Sequence, residues 1–298
     1  MPSARRLKFR LLILVLLALC GGCIAAEPAV LPASPVVNAN GEQLHGRWSL
    51  TGNGVAEFLG IPFAAPPLHS LRWKAPRPHS PRHGPQAATE FAAACMQGPG
   101  MVDWYANVAA AFGYGPEVVG KPVGVSEDCL YLNVWSPDLQ ADTALPVMVY
   151  VHGGSNSGGW SYEPNYLGAS LAERGVVVVT ISYRLGVFGF FSHPALENTE
   201  NEPVANFALL DIRKAFDWVS RHIAAFGGDP QNITAFGESA GALNIVDLML
   251  SDAASGKTEK PLFRRVISQS LGGSLDSRQT LAEEQAVGEQ LVSLLGLD

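Results

Sequence analysis

The sequence predicts an α/β domain built on a doubly wound, mostly parallel sheet, and three observations carry that expectation. Val147-Met148-Val149-Tyr150-Val151 and residues 176–181 are continuous apolar, largely β-branched runs, the texture of strands buried on both faces. Between Asn206 and Phe226, apolar residues fall at Ile212, Phe216, Val219 and Ile223 with Asp211, Arg213, Lys214 and Asp217 between them, which is the pattern of an amphipathic helix. Strand-like 233–236, helix-like 240–250 and strand-like 265–268 then alternate as crossover units do.

Before Pro146 the texture is different. Segments 56–61 and 130–135 read as short strands, and the Pro- and Gly-rich stretches 76–85 and 98–124 read as surface loops. No repeat or long linker divides the chain. Its 298 residues are 47% hydrophobic and 16% charged, which excludes a disordered chain, a coiled coil and a collagen-like repeat and leaves ample material for a core.

Twenty basic residues stand against 27 acidic ones, a net charge of −7. Arg5, Arg6, Lys8 and Arg10 crowd the first ten positions, so the body is more acidic than the total suggests. An acidic body without a basic stripe argues against nucleic acid and anionic membrane surfaces as partners. That basic start, the apolar run 11–20 and the small residues before Glu27 have the layout of a secretory signal peptide over residues 1–26, with cleavage near Ala26. The run is too short for a membrane span, which needs about 20 apolar residues. Gly21-Gly22-Cys23 offers the alternative of lipid attachment at Cys23, although Cys20 is unusual in such a box. A secreted or periplasmic protein, in the alternative a lipid-anchored one, is expected.

Export leaves Cys95 and Cys129 as an even pair in an oxidising compartment, which favours a disulfide; two free buried thiols are the competing reading. No dinucleotide fingerprint is present and the cysteines are better explained as a pair than as metal ligands, so neither cofactor nor metal is expected.

Gly237-Glu238-Ser239-Ala240-Gly241 lies between a strand pattern and a helix pattern. A sharp strand-to-helix turn flanked by glycines lifts a serine hydroxyl off the end of a sheet, and the helix start brings backbone N–H groups beside it. The competing role for Ser239 is a helix N-cap. Upstream, His152-Gly153-Gly154-Ser155 follows the strand 147–151, where glycines let backbone N–H groups converge on one point; Ala240 supplies a third.

The chain resembles the type B carboxylesterases, the cholinesterase-like branch of the α/β-hydrolases. The likeness runs from about Gly54 to about Ser270, through Phe58-Leu59-Gly60-Ile61-Pro62-Phe63-Ala64-Ala65-Pro66-Pro67, Ser126-Glu127-Asp128-Cys129-Leu130-Tyr131-Leu132-Asn133, and His152-Gly153-Gly154. It continues through Tyr183-Arg184-Leu185-Gly186-Val187-Phe188-Gly189-Phe190, Phe226-Gly227-Gly228-Asp229-Pro230, and 236–242. The resemblance implies an α/β-hydrolase fold, a small-molecule ester substrate, Ser239 as the nucleophile of an acyl-enzyme mechanism, and Gly153, Gly154 and Ala240 as the oxyanion hole. It further implies Glu238 as an acid beside the nucleophile in the substrate gorge, Cys95 with Cys129 as the family's first disulfide, and Arg72–Glu127 and Arg184–Asp211 as structural ion pairs. Two departures stand out. Ser155 occupies a position that is glycine in many relatives, and His69 replaces the usual glycine before Leu71-Arg72-Trp73. The Asn232-Ile233-Thr234 sequon reads as the start of a strand rather than a glycosylation signal.

In α/β-hydrolases the triad runs Ser, acid, His. All seven histidines (His45, His69, His79, His83, His152, His193 and His222) precede Ser239. Acids do follow, at Asp247, Asp252, Glu259, Asp276, Glu283, Glu284 and Glu289, but none lies in the family's triad-acid block. Residues 27–298 are therefore expected to be the N-terminal portion of a carboxylesterase domain, truncated before the C-terminal strands. Alone, this portion is expected to be nearly inactive and poorly folded, with an uncovered sheet edge. A non-catalytic cholinesterase-like binding protein, or an inactive truncated hydrolase, is the alternative; thioesterase or peptidase chemistry would use the same serine.

Overall fold

The computed structural model describes residues 33–198, 202–255, 261–271 and 278–297. Residues 1–26, with Cys20 and Cys23, and the acids Glu259 and Asp276 lie outside them. Contacts divide the chain into two units, Met1–Ala33 and Ser34–Asp298. The second unit begins with β1 (Val36–Ala39), β2 (Glu42–His45), β3 (Arg47–Trp48), β4 (Ala56–Pro62), β5 (Pro85–Ala87), β6 (Ala94–Cys95), α1 (Gly100–Ala111), β7 (Val125–Ser126), β8 (Tyr131–Ser136) and β9 (Leu145–Val151). After these come α2 (Ala169–Ala172), β10 (Val177–Ile181), α3 (Gly186–Phe190), α4 (Phe207–His222), β11 (Gly228–Glu238), α5 (Ala240–Ala254), β12 (Arg265–Gln269) and α6 (Leu281–Leu294).

Seven strands form the main sheet in the order β12-β11-β9-β10-β8-β4-β3. The first four are mutually parallel. Strand β8 runs against β10, β4 against β8 and β3 against β4, so five of the seven strands point the same way. This is the mostly parallel sheet the sequence predicts. Its centre is buried on both faces: all five residues of β10 are buried, and Val147, Val149 and Val151 of β9 pack with Ile212, Phe216 and Val219 of α4. Burying β-branched rows on both faces is what removes the polar alternation from these strands.

Among the described residues strand β12 pairs only with β11, and four of its five residues are exposed, so this side of the sheet is an open edge among them. The stretch 76–84 carries no regular element. By contrast, the stretch 98–124, read as a surface loop, holds the twelve-residue helix α1. Residues 101–111 contain Met, Trp, Tyr and four alanines, which sustain a helix; Met101, Val102 and Tyr105 pack on Trp160 and Tyr162, and none of the helix is fully buried. Other elements left no sequence expectation, among them the small sheets β1-β2-β5 and β6-β7 and the helix α6, begun by a capping box in which Thr280 and Glu283 bond each other's backbone N–H. Among the described residues no helix is long and apolar enough to cross a membrane.

Candidate active site

Strand β11 ends at Glu238 and α5 begins at Ala240, so Ser239 is the hinge of a strand-to-helix turn. Its backbone is at φ 53, ψ −122, a conformation that costs a non-glycine residue on the order of 1–3 kcal/mol. Gly237 and Gly241 make that turn sterically feasible. A Cβ on Gly237 would lie 2.9 Å from the Val151 carbonyl oxygen, and one on Gly241 would overlap the same oxygen and meet that of His152 at 2.5 Å. The first turn of α5 thus packs directly on the end of β9. Ser239 bonds through its backbone N–H to Gln269 O at 2.9 Å, and its side chain makes no capping bond. Ser239 is partly exposed.

The segment after β9 folds against this turn. A Cβ on Gly153 would stand 3.2 Å from Ser239 Cβ and 2.6 Å from Glu238 Oε2, so only glycine lets the loop approach the serine. Gly154, at φ 100, is crowded by the Gly158 carbonyl. Among the described residues no hydrogen-bond acceptor takes up the N–H of Gly153, Gly154 or Ala240. Two of these donors lie on the loop after β9 and the third opens α5. Ser155 and His69, the two departures from glycine, both occupy left-handed backbone, at φ 56 and φ 52, the conformation that favours glycine at such positions.

His152 is buried, 1% exposed, with Nδ1 2.9 Å from Gly153 O and its ring stacked on Tyr183. Burial depresses its pKa from 6.5 to about 4. A neutral imidazole whose Nδ1–H is donated to the loop is a brace, not a base. Among the described residues no histidine is hydrogen-bonded to Ser239. Asn156 reinforces the brace: its Oδ1 accepts from Asn244 Nδ2 of α5 at 2.8 Å, and its backbone oxygen accepts from Gly186 N at 2.7 Å. This junction of loop, α3 and α5 leaves no motif in the sequence, because two amides 88 residues apart carry no local pattern.

The remaining sequence-derived residues make ties of their own. A disulfide joins Cys95 and Cys129. Arg72 grips Glu127 through two bonds of 2.6 and 2.5 Å, which holds the Glu127 carboxyl below its usual range. Arg184 and Asp211 are almost wholly buried and share bonds of 2.7 Å from Nε and from the guanidinium terminus, while Arg184 also reaches the carbonyl of Lys74. Both arginines and the disulfide line one small cavity with Phe188. Trp160 is buried in a cluster with Ala94 and Tyr162, whereas Trp104 is 55% exposed. Asn232 lies within β11 and accepts from Arg265. A cleft of 290 Å³ opens on Ser155, Asn156 and Ser157 and is walled by Val187, Phe190, Phe191, Val287 and Leu291. Among the described residues no cluster of His, Cys, Asp or Glu is arranged to hold a metal.

A glycine-flanked serine turn at the end of a parallel strand, facing a glycine loop after the neighbouring strand, defines the α/β-hydrolase class. The chain belongs to the carboxylesterase family, whose family model matches residues 33–297. It is 42% identical over 238 residues to the fumonisin B1 esterase of Sphingopyxis macrogoltabida, a match covering 80% of this chain and 40% of that protein. With carboxylesterase 1C of Mus musculus it shares 41% identity over 276 residues, covering 91% of this chain and 46% of the relative. Among solved structures, a thermophilic PNB esterase superposes with a TM-score of 0.74 at 34% identity, over 89% of this chain and 49% of the other. The chain therefore spans about half the length of the relatives it matches.

Proposed function

We propose that the chain carries the nucleophilic half of a serine carboxylic ester hydrolase. The supporting observation is the approach of Gly153 to the strained turn that presents Ser239, with no acceptor for the N–H groups of Gly153, Gly154 and Ala240 among the described residues. In this reading Ser239 Oγ attacks the carbonyl carbon of a small-molecule ester. Its proton passes to a triad histidine, the three N–H groups hold the tetrahedral oxyanion, and the alcohol leaves to give an acyl-enzyme that water then hydrolyses. Glu238 lies beside the nucleophile and tunes the field there. The apolar cleft on Ser155–Ser157 is room for the acyl or alcohol group. Arg72–Glu127, Arg184–Asp211 and the disulfide hold the loops around the site.

None of the seven histidines follows Ser239, and none is bonded to it among the described residues, so these 298 residues alone are expected to hydrolyse esters at only about 10³ to 10⁴ times the rate in water. The same observation favours a second reading, a non-catalytic binding protein. Sequencing the gene beyond codon 298 and assaying the whole reading frame on a p-nitrophenyl ester separates the two. An acid block followed by a histidine block, with hydrolysis lost in Ser239→Ala, supports the esterase; a stop codon and no Ser239-dependent turnover sinks it. Export through residues 1–26, with cleavage near Ala26 or lipid attachment at Cys23, is part of the proposal, and mass spectrometry of the exported N-terminus tests it.

A further inference from the structure

The ester-hydrolase reading asks two separate elements to serve one oxygen, since Gly153 and Gly154 lie on the loop after β9 and Ala240 opens α5. Donors on different elements act together only while those elements keep one spacing, and a misplacement of about 1 Å at a reacting centre costs on the order of a hundredfold in rate.

The loop is not self-supporting. Gly154, Ser155 and Asn156 follow one another at φ 100, 56 and 57, and two of the three are not glycine. Side chains in left-handed backbone persist where the surroundings over-determine them. Inside the loop, the N–H groups of Ser157 and Gly158 both donate to Gly154 O at 3.0 Å. Outside support centres on Asn156, whose side chain forms a reciprocal amide pair with Asn244. Asn244 Nδ2 donates to Asn156 Oδ1 at 2.8 Å, and Asn156 Nδ2 donates to Asn244 Oδ1 at 3.3 Å. The Tyr183 hydroxyl, 2.7 Å from His152 O, also lies 3.4 Å from Asn156 Oδ1, and Gly186 N donates to Asn156 O at 2.7 Å.

Asn244 is 1% exposed and stands in the second turn of α5; the N–H of its neighbour Leu243 donates to Ser239 O at 3.1 Å. A buried amide costs free energy unless its oxygen and nitrogen find partners, and apolar groups of like shape in place of both partners are often neutral. Packing alone therefore does not call for two amides here.

We infer that Asn156 and Asn244 are positioning residues whose paired amides fasten the glycine loop to the nucleophile helix and so set the spacing between the Gly153 and Gly154 donors and Ala240. The catalytic consequence rests on the hydrolase reading of Ser239; the tie itself stands on the two bonds.

The test is steady-state hydrolysis of a p-nitrophenyl ester by the whole reading frame carrying Asn156→Gly, Asn244→Ala or both, with urea midpoints and hydrogen exchange of the same proteins. Glycine adopts φ 57 freely, so Asn156→Gly removes the amide without adding backbone strain. It also decides the matter if Asn244→Ala, cut from a buried helix face, does not fold. Each single variant is expected to lose about ten-fold or more in kcat with KM within about two-fold of wild type, as for an interaction that matters in the transition state and not in substrate binding. The double variant is expected to lose no more than the worse single, because one tie is cut only once. A lowered urea midpoint with kcat retained assigns the pair to stability alone and overturns the inference, and so do losses that multiply in the double variant. Exchange of the 153–157 amides should accelerate several-fold in both singles; an unchanged rate overturns the tie even where turnover falls. If wild type shows no Ser239-dependent turnover, the hydrolase reading fails, and exchange alone decides whether the amides hold the loop.

Discussion

The nucleophile turn and the disulfide-closed segment are held in opposite ways. At residues 237–241 the turn is opposed by backbone: Gly237 and Gly241 face carbonyl oxygens of β9 and its following loop, and Ser239 is strained between them. Across 95–129, helix α1 buries no residue completely, and Trp104, Phe112, Tyr114, Val118 and Val123 are exposed. Its order rests on the disulfide, the β6–β7 pairing, side-chain ties, and the packing of Met101, Val102 and Tyr105 on Trp160 and Tyr162. A motif read as five consecutive letters works because its constraints are local and steric. A segment fastened by single distant contacts has no such signature.

Opening the second region should therefore have the largest effect on stability. Cys95→Ser with Cys129→Ser removes a 34-residue closure, with an expected loss of about 3 to 4 kcal/mol in the chain-entropy account, read as a lower urea midpoint. Hydrogen exchange should show the loss concentrated in 95–129; a uniform loss would mean the segment is held by packing after all.

The loop beside the nucleophile should respond to acid. The unfolded His152 imidazole titrates near 6.5 and the folded one near 4, so below 6.5 the unfolded chain takes up a proton that the folded chain refuses. Stability from this group is complete above about 6.5 and falls as pH drops toward 4, by on the order of 3 kcal/mol in all. Urea midpoints across that range should show the slope, and His152→Asn should flatten it. An unchanged slope in the variant would assign the acid sensitivity elsewhere.

Matched glycine substitutions sharpen the contrast further. Gly241→Ala drives a methyl into the carbonyls of Val151 and His152, with an expected loss of about 1–3 kcal/mol. Gly100→Ala at the start of α1 meets nothing within 4 Å and should gain about 0.5 kcal/mol from helix propensity. Equal signs for the two would break the comparison. The smallest effect is expected for Phe112→Ser, 77% exposed at the end of α1, within about 0.5 kcal/mol of wild type by thermal unfolding.

The strands and helices from Pro146 onward were legible because burial on two faces writes continuous β-branched runs and burial on one face writes a helical period. The serine turn and the glycine loop were legible because backbone crowding at Gly153, Gly154, Gly237 and Gly241 admits little but glycine. Helix α1 was read as a loop because its inner face, Met101, Val102, Tyr105, Val108 and Ala109, is only half-buried and is flanked by Pro and Gly. Small strands β1, β2 and β5 were silent, since pieces of three or four residues carry too little pattern.

By itself the sequence determined the alternating strands and helix patterns of 147–268, the serine turn, the glycine loop and the cysteine pair, all of them properties of neighbouring residues or of residue type. Tertiary structure alone decided that His152 is a buried brace, that Asn156 meets Asn244, and that Tyr105 finds Glu163 across 58 residues. Such meetings depend on where the sheet carries each segment, and a side chain's charge state follows from the neighbours it acquires there, not from those beside it in the chain.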